Sequence, residues 1–217
     1  MGAPAVVIFD VNETLSDLTP LAARFEEAGV PSELLGTWFA ATLRDGIALA
    51  ASGSYADFRD VGRANLLQLL PTAEAAEHVL DGFAVLPVHP DVPHGLRVLR
   101  EARIRIATLT NGTTQIARAL LERAGLEELV EQHLDVSGVR RWKPAPDPYL
   151  YACGELGVEP AQAALLAVHP WDVHGARRAG LHGAWLDRRG LPYPEVFEPP
   201  DWSGRDLPSL ARAVAAG

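Results

Sequence analysis

The 217-residue chain contains only one cysteine, Cys153, and this scarcity excludes several kinds of protein at once. A single cysteine can form neither an intrachain disulfide framework nor a zinc site built on cysteines. The sequence also lacks a cluster of Lys and Arg, and its formal net charge is −9, so nucleic acid is not an expected partner. It has no apolar run of the ~18 residues that read as a membrane helix.

The N-terminal segment MGAPAVVIFD lacks the basic start and the long apolar run of a signal peptide. We therefore expect a cytoplasmic protein with no membrane partner. The hydrophobic content of 48% and the charged content of 22% are ordinary for a globular protein. A length of 217 residues suits one domain with an insertion, or two small domains.

Apolar, β-branched runs alternate with helical patterns along most of the chain. AVVIFDV at the N-terminus is typical of a buried parallel strand, and RIATLT (105–110) predicts the next one. Between them, apolar spacings of three and four predict helices over 20–50 and 57–85. After residue 86, helices alternate with RIATLT and with three further predicted strands, HLDVSGV, AALLAV and GAWLD. This alternation predicts an α/β fold with a doubly wound, Rossmann-like parallel sheet.

This pattern divides the chain into a core and an insertion. We expect residues 1–15 and 87–217 to form the α/β core and residues 16–86 to form an inserted α-helical domain. The proline-rich stretch 190–200 is expected to be a surface loop.

The candidate functional residues follow the predicted strands. Open α/β sheets bind ligands at the carboxyl ends of their strands, so polar side chains there converge on one edge. They are Asp10, Asn12 and Thr14 after the first strand, Thr110 and Asn111 after the second, Lys143 and Tyr149 after the third, and His169, Trp171 and Asp172 after the fourth.

Four motifs in this order, FDVNETL, LTNG, KPAPDPY and HPWD, resemble those of the haloacid dehalogenase superfamily. The resemblance covers the whole chain and implies a Rossmann-like core with a helical cap over the active site. Phosphatases of the superfamily use an Asp-x-Asp pair, whose first Asp attacks phosphorus and binds Mg²⁺ and whose second protonates the leaving alcohol. This chain has Asn12 in the second position, and an amide cannot act as a general acid.

The missing acid fits the 2-haloacid dehalogenase branch of the superfamily, because a halide leaving group needs no proton. The resemblance then implies a small-molecule 2-haloacid substrate and no metal or other cofactor. Asp10 would displace halide and form an ester, and water activated by Asp172 would hydrolyse it. Lys143 would keep Asp10 ionised, Thr14 would donate a hydrogen bond to it, and Tyr149 matches the tyrosine of the family.

The same resemblance implies residues that bind the substrate. Thr110, with the backbone N–H groups of Val11, Asn12 and Asn111, would bind the carboxylate of the 2-haloacid. The side chains of Asn111, Phe58 and Trp171 would surround the halide.

Three positions depart from the branch. Phe39 stands where the cap helix of the branch has an arginine that pulls on the halide. Arg44, the nearest arginine along the chain, is therefore a candidate to reach into the site and bind the substrate beside Phe39. Ala167 replaces a serine and His169 an asparagine in the region that places the water. The hypothesis that follows from Phe39 is that the chain turns over 2-haloacids poorly, or prefers one outside the usual 2-chloropropionate type. Full activity on L-2-chloropropionate would contradict it.

Two other functions remain open at this point. A Mg²⁺-dependent phosphatase with an altered acid would require metal for turnover. A binding protein that has lost turnover would bind a carboxylate or a partner tightly without converting it. The resemblance is also compatible with a homodimer formed through the cap.

Overall fold

The computed structural model describes residues 2–217, and a single six-stranded sheet lies at its centre. The strand order is 3-2-1-4-5-6 and every neighbouring pair is parallel, which confirms the predicted doubly wound α/β fold. The strands are β1 (Val6–Phe9), β2 (Arg105–Thr110), β3 (Gln132–Asp135), β4 (Ala163–Ala167), β5 (His182–Leu186) and β6 (Trp202–Gly204).

The helices connect the strands and fill the segment between β1 and β2. None of the helices described for residues 2–217 is long and apolar enough to cross a bilayer. Their bounds are α1 (Leu21–Glu27), α2 (Leu34–Ala51), α3 (Phe58–Leu66), α4 (Ala73–Asp81), α5 (Val92–Glu101), α6 (Thr114–Arg123), α7 (Pro146–Leu156), α8 (Pro170–Arg178) and α9 (Leu207–Ala216).

Two sequence predictions about these elements need correction. The two long helices expected over 20–50 and 57–85 are four shorter ones, because Pro31 and Pro71 stand at the breaks and proline cannot continue a helix. The sixth strand was not predicted, because β6 has only three residues and follows a proline-rich stretch.

Side chains of the central strand β1 alternate between two hydrophobic layers. Val7 and Phe9 belong to the layer that contains apolar residues of α5, α6 and α9. Val6 and Ile8 face the opposite layer, which contains residues of α7 and α8. Because both faces are covered, β1 is apolar throughout, as is typical of a buried parallel strand.

Trp142 links the helical segment α1–α4 to the core. Its indole stacks on Phe58, with ring centroids 5.8 Å apart, and its Nε1 donates a hydrogen bond to the Ala56 carbonyl at 2.9 Å. Gly46 of α2 lies against the same indole, so that any Cβ at this position would overlap the ring. This contact sets how closely α2 approaches the residues that precede Lys143.

We expect Gly46→Ala to lower the free energy of unfolding by about 1–3 kcal/mol, because an added methyl overpacks the contact with Trp142. Gly36→Ala in the same helix is the matched control, since a Cβ there meets nothing within 4 Å. That substitution should be neutral or stabilising by up to about 1 kcal/mol, because Ala is the better helix former. Urea denaturation measures both. Equal stability of the two variants would contradict close packing of α2 on Trp142.

Candidate active site

Asp10 lies at the carboxyl end of β1 and is the centre of a hydrogen-bonded cluster. The sheet pairing reaches Asp10 itself, whose N–H donates to the Leu166 carbonyl at 3.1 Å. The Thr14 hydroxyl donates to Asp10 Oδ2 at 2.7 Å and accepts from the Val168 N–H at 3.1 Å. Thr14 therefore fixes the orientation of the Asp10 carboxylate relative to the loop after β4.

The Lys143 ammonium lies between two carboxylates. Its Nζ donates to Asp10 Oδ1 at 2.9 Å, to Asp172 Oδ2 at 2.6 Å and to the Leu109 carbonyl at 2.9 Å. The side chain is 0% exposed, so these three acceptors satisfy all three donors of the ammonium. Lys143 is held in turn by Asn111, whose Oδ1 accepts from the Lys143 N–H at 2.9 Å.

Asp172, in the first turn of α8, is covered by donors on both oxygens. Lys143 bonds Oδ2, and the Tyr149 hydroxyl donates to Oδ1 at 2.5 Å. The Asp172 side chain is 0% exposed. Tyr149 and Asp172 thus lie in the fully buried part of the cluster, and Asp10 lies nearer the surface.

One ammonium shared by two buried carboxylates gives them opposite pKa shifts. Burial by itself raises the pKa of Asp10, but the Lys143 charge and the His169 imidazole outweigh it, and the net pKa lies well below the usual range. At Asp172, burial and the Asp10 charge both raise the pKa, and together they outweigh the opposing effect of Lys143. The net pKa of Asp172 is therefore raised. Burial by itself lowers the pKa of Lys143, but the charges of Asp10 and Asp172 raise it by more, so the net shift is upward. Asp10 is therefore an ionised carboxylate at neutral pH.

The residues expected to bind a carboxylate lie beside Asp10, at the ends of β1 and β2. Val11, Asn12, Thr110 and Asn111 are all buried there. The Thr110 hydroxyl oxygen accepts from the Gly112 N–H at 2.9 Å, which shapes the turn after β2 and leaves the hydroxyl hydrogen to donate. Asn111 presents its carbonyl oxygen to Lys143, which leaves its amide nitrogen as the donor end.

A cleft of about 630 Å³ opens next to the cluster. Its wall combines the loop after β1, the start of α2 and the loops after β4 and β5. Glu13, Phe39 and His169 are among the lining residues. His169 joins the cleft to the cluster, because it lines the cleft and also contacts Asp10.

The helical segment contributes several residues to this cleft, most of them apolar, and none of them is an arginine. Phe39 lines the cleft and packs against Phe58, with ring centroids 6.2 Å apart. The expectation that Arg44 reaches the site is not met, because its side chain is 70% exposed and its Nε donates to Asp45 at 2.7 Å. Phe58 lies one layer further in, between Phe39 and Trp142.

His169 and Trp171 lie together at the start of α8. Their rings stack with centroids 5.1 Å apart. His169 Nδ1 is 3.2 Å from Asp10 Oδ2, and its Nε2 is 2.8 Å from Glu13 Oε2. Burial alone lowers the pKa of His169, but hydrogen bonds and charges of Asp10 and Glu13 raise it to about 9.

Sequence reasoning missed two residues that take part in this arrangement. Glu13 was not singled out, although it lies in the loop that carries Asp10, and Trp142 was not singled out, although it precedes Lys143. A signal for Trp142 was available, because this residue directly precedes Lys143, the only lysine of the chain. A single lysine beside a proline-rich loop at a strand end is a stronger candidate for a site than one lysine among many.

The comparison with known proteins agrees with this geometry. The family model of haloacid dehalogenase-like hydrolases matches residues 4–180. The (S)-2-haloacid dehalogenase of Xanthobacter autotrophicus is 30% identical over 190 residues, which cover 84% of this chain and 74% of that protein. The solved structure of an L-2-haloacid dehalogenase of the same organism, with chloropropionic acid covalently bound, has a TM-score of 0.86, an identity of 27% and coverage of 97% and 98%. A second L-2-haloacid dehalogenase structure has a TM-score of 0.91, an identity of 29% and coverage of 99% and 100%. The chain belongs to the haloacid dehalogenase-like hydrolase family.

Proposed function

We propose that this protein hydrolyses the carbon–halogen bond of 2-haloacids through an ester on Asp10. The observation that carries the proposal is the pairing of an ionised Asp10 with Asn12, where a phosphatase needs a second acid. A carboxylate held by Lys143 and Thr14 can attack carbon. An amide at position 12 cannot protonate an alcohol leaving group, whereas a halide leaves without a proton.

The reaction proceeds in two displacements. An Asp10 oxygen forms a bond to Cα of the acid, the carbon–halogen bond breaks, and the halide leaves with the bonding electrons. Water then adds to Cγ of Asp10, and the bond between Cγ and the ester oxygen breaks. The products are a 2-hydroxy acid, a halide ion and a proton, and Asp10 is again a carboxylate.

The donors around the two carboxylates favour a mechanism without a metal. Both oxygens of Asp10 accept from Lys143, Thr14 or His169, and both oxygens of Asp172 accept from Lys143 or Tyr149. Mg²⁺ prefers an octahedron of oxygen ligands with carboxylates among them. At this site the carboxylate oxygens already have protein donors.

We further propose that residues 16–86 act as a cap that shapes the substrate cleft. Phe39 of α2 faces the same cleft as His169 and Glu13 of the core. An apolar ring at this place favours the carbon chain of the acid. Thr110 and the donors of Val11, Asn12 and Asn111 do not line this cleft; they would hold the carboxylate at the ends of β1 and β2.

Halide release from 2-chloro-, 2-bromo- and fluoro-acids, measured with EDTA present, tests this function. Wild type should release halide and Asp10→Asn should not. A parallel assay with p-nitrophenyl phosphate and Mg²⁺ tests the phosphatase alternative. Phosphate release that depends on Mg²⁺, with no halide from any acid, would overturn the proposal.

A further inference from the structure

The cleft beside Asp10 is larger than a 2-halopropionate requires. Its volume of about 630 Å³ lies within the range of about 300–1,000 Å³ in which pockets enclose drug-sized ligands. A 2-halopropionate has only a methyl group beyond its carboxylate and its reacting carbon. Most of the cleft lies beyond the reach of so short a chain, so its size indicates a longer occupant.

The walls of this cleft are mainly apolar on both sides. The apolar side chains come from the loop after β1, the start of α2 and the segment 185–194, and they include Leu18, Leu35, Phe39, Trp185, Leu191 and Pro192. An apolar group that fills the cleft removes these surfaces from water, which stabilises the complex.

The proline-rich loop 190–200 is held against the core as one wall of the cleft. The Tyr193 hydroxyl donates to the Pro170 carbonyl at 3.2 Å, and its ring packs edge-on against Trp185 with centroids 5.0 Å apart. Trp185 Nε1 in turn donates to the Val168 carbonyl at 3.1 Å. A wall that is already in place binds a ligand without the entropic cost of ordering a loop.

The charges of the cleft wall disfavour a second carboxylate on the substrate. Glu13, Asp17 and Asp187 contribute carboxylates to the wall, and these repel another anion. Two arginines also line the cleft, but Arg188 is already paired with an aspartate at 2.9 Å, and Arg189 is exposed to solvent. The part of the substrate that enters the cleft is therefore expected to be uncharged.

The order of the strands separates the carboxylate of the substrate from this cleft. β2 lies on one side of β1, and β4 followed by β5 lies on the other. The donors proposed for the carboxylate are at the ends of β1 and β2, whereas the cleft is lined by the loops after β1, β4 and β5.

The geometry of the displacement leaves the side chain of the acid to enter the cleft. In an in-line attack the halide leaves opposite Asp10, so the carboxylate, the side chain and the hydrogen of Cα lie around the reacting axis. With the carboxylate toward β2, the side chain points toward β4 and β5. His169 lines the cleft and lies 3.2 Å from Asp10, so the cleft begins next to the reacting carbon.

We propose that the substrate is a medium-chain 2-haloalkanoic acid whose uncharged alkyl chain occupies this cleft, an assignment that rests on the proposed function and names its substrate class. Gly36 of α2 leaves room for the chain, because it lines the cleft and a Cβ there would meet nothing within 4 Å. Phe39 and Leu191 contact the chain from the two sides. Each methylene group buried in the cleft favours the longer acid by roughly threefold.

The test compares bromide release by wild type from racemic 2-bromopropionate and 2-bromooctanoate. We expect kcat/KM to be at least about tenfold higher for 2-bromooctanoate, because its additional methylene groups are buried. Gly36→Leu places a side chain in the cleft, so the ratio of kcat/KM for the long acid to that for the short acid should fall by roughly tenfold or more.

A matched control and a second variant accompany Gly36→Leu. Gly154→Leu adds the same side chain at another exposed helix glycine without neighbours within 4 Å, on α7 and outside the cleft, and should keep the wild-type ratio. Leu191→Asp adds a charge to the apolar wall at a residue that is 49% exposed, so the fold should tolerate it. This variant should also lower the ratio by roughly tenfold, because the alkyl chain would contact a carboxylate.

Binding of halogen-free acids examines the cleft without turnover. Isothermal titration calorimetry on wild type should give a Kd for octanoate at least about tenfold below that for propionate. Gly36→Leu should remove most of this difference, and Gly154→Leu should preserve it.

The contrary results distinguish this inference from the proposed function. A kcat/KM for 2-bromopropionate equal to or above that for 2-bromooctanoate in wild type would overturn the substrate class and leave the proposed function intact. An unchanged ratio in both Gly36→Leu and Leu191→Asp would show that the alkyl chain does not occupy this cleft. No halide from wild type with any acid would overturn the proposed function and this inference together.

Discussion

Replacing Lys143 by methionine is expected to lower the free energy of unfolding by about 3–5 kcal/mol, because it leaves buried carboxylates without their counter-charge. Methionine matches the length of the lysine stem, so the packing loss is small. Asp10 and Asp172 would remain in the protein interior with no ammonium between them. Activity should also be lost, because Asp10 would no longer be held ionised and oriented. Urea denaturation and halide release measure the two effects.

The loss of stability in Lys143→Met should depend on pH in one definite direction. In wild type the pKa of Asp10 is lowered, so its contribution to stability is present above the unfolded-state pKa and is lost as the pH falls through the folded-state pKa. Without Lys143, the pKa of Asp172 rises further, and the pKa of Asp10 rises from its wild-type value although His169 still lowers it. The variant therefore gains stability relative to wild type as these carboxyls become protonated. The stability deficit of Lys143→Met should therefore shrink as the pH is lowered. A deficit independent of pH would indicate lost packing as its cause.

Two companion variants keep this prediction testable when Lys143→Met folds poorly. Lys143→Met combined with Asp172→Asn removes one carboxylate with the ammonium, and it should recover part of the stability without recovering activity. Arg141→Met, two residues earlier, removes a cation whose side chain is 41% exposed. This control should change the free energy of unfolding by no more than about 1 kcal/mol, as is usual for exposed ion pairs.

Asp10→Asn should abolish halide release while the protein remains folded. Loss of a catalytic nucleophile commonly lowers kcat by at least roughly 10⁴-fold. The fold should tolerate the change, because Lys143 keeps Asp172 as a partner and His169 keeps Glu13. We expect the free energy of unfolding to change by about 1–3 kcal/mol, the range for a perturbed buried hydrogen bond. Halide electrodes and urea denaturation provide the two measurements.

The same variant should also change the titration of His169. One of the two carboxylates that raise its pKa is gone, so the imidazole should titrate below the wild-type value of about 9. NMR of the histidine side chains measures this shift. Asp206→Asn, at the start of α9, is the matched control, since asparagine is an equally good N-cap and the site lies elsewhere. Halide release by Asp10→Asn at the wild-type rate would remove Asp10 from the mechanism.

The fold class followed from the sequence because hydrophobic patterning is local. β1 is a continuous apolar run, and β2, RIATLT, was predicted with the bounds that the structure has. The helix breaks at the prolines and the three-residue strand β6 were harder to predict. For β6 the reason is that a short edge strand is stabilised by its neighbour β5 more than by its own residues.

The sequence also determined which residue types meet at one edge of the sheet. Parallel strands end on the same side, so Asp10, Lys143 and Asp172 had to lie close together once the strands were recognised. The sequence did not predict the distances between these side chains or their hydrogen-bond donors, because both depend on side-chain packing between segments far apart in the chain. Lys143 contacts an aspartate 133 positions earlier.

Only the tertiary structure decided the remaining roles. Helical spacing did not reveal that Phe39 faces the cleft and Arg44 faces solvent, since the orientation of α2 is set by its contact with Trp142. Nor did the motif HPWD reveal that His169 bridges two carboxylates. That bridge depends on the left-handed turn at Glu13, which brings a carboxylate from the loop after β1 to an imidazole at the start of α8.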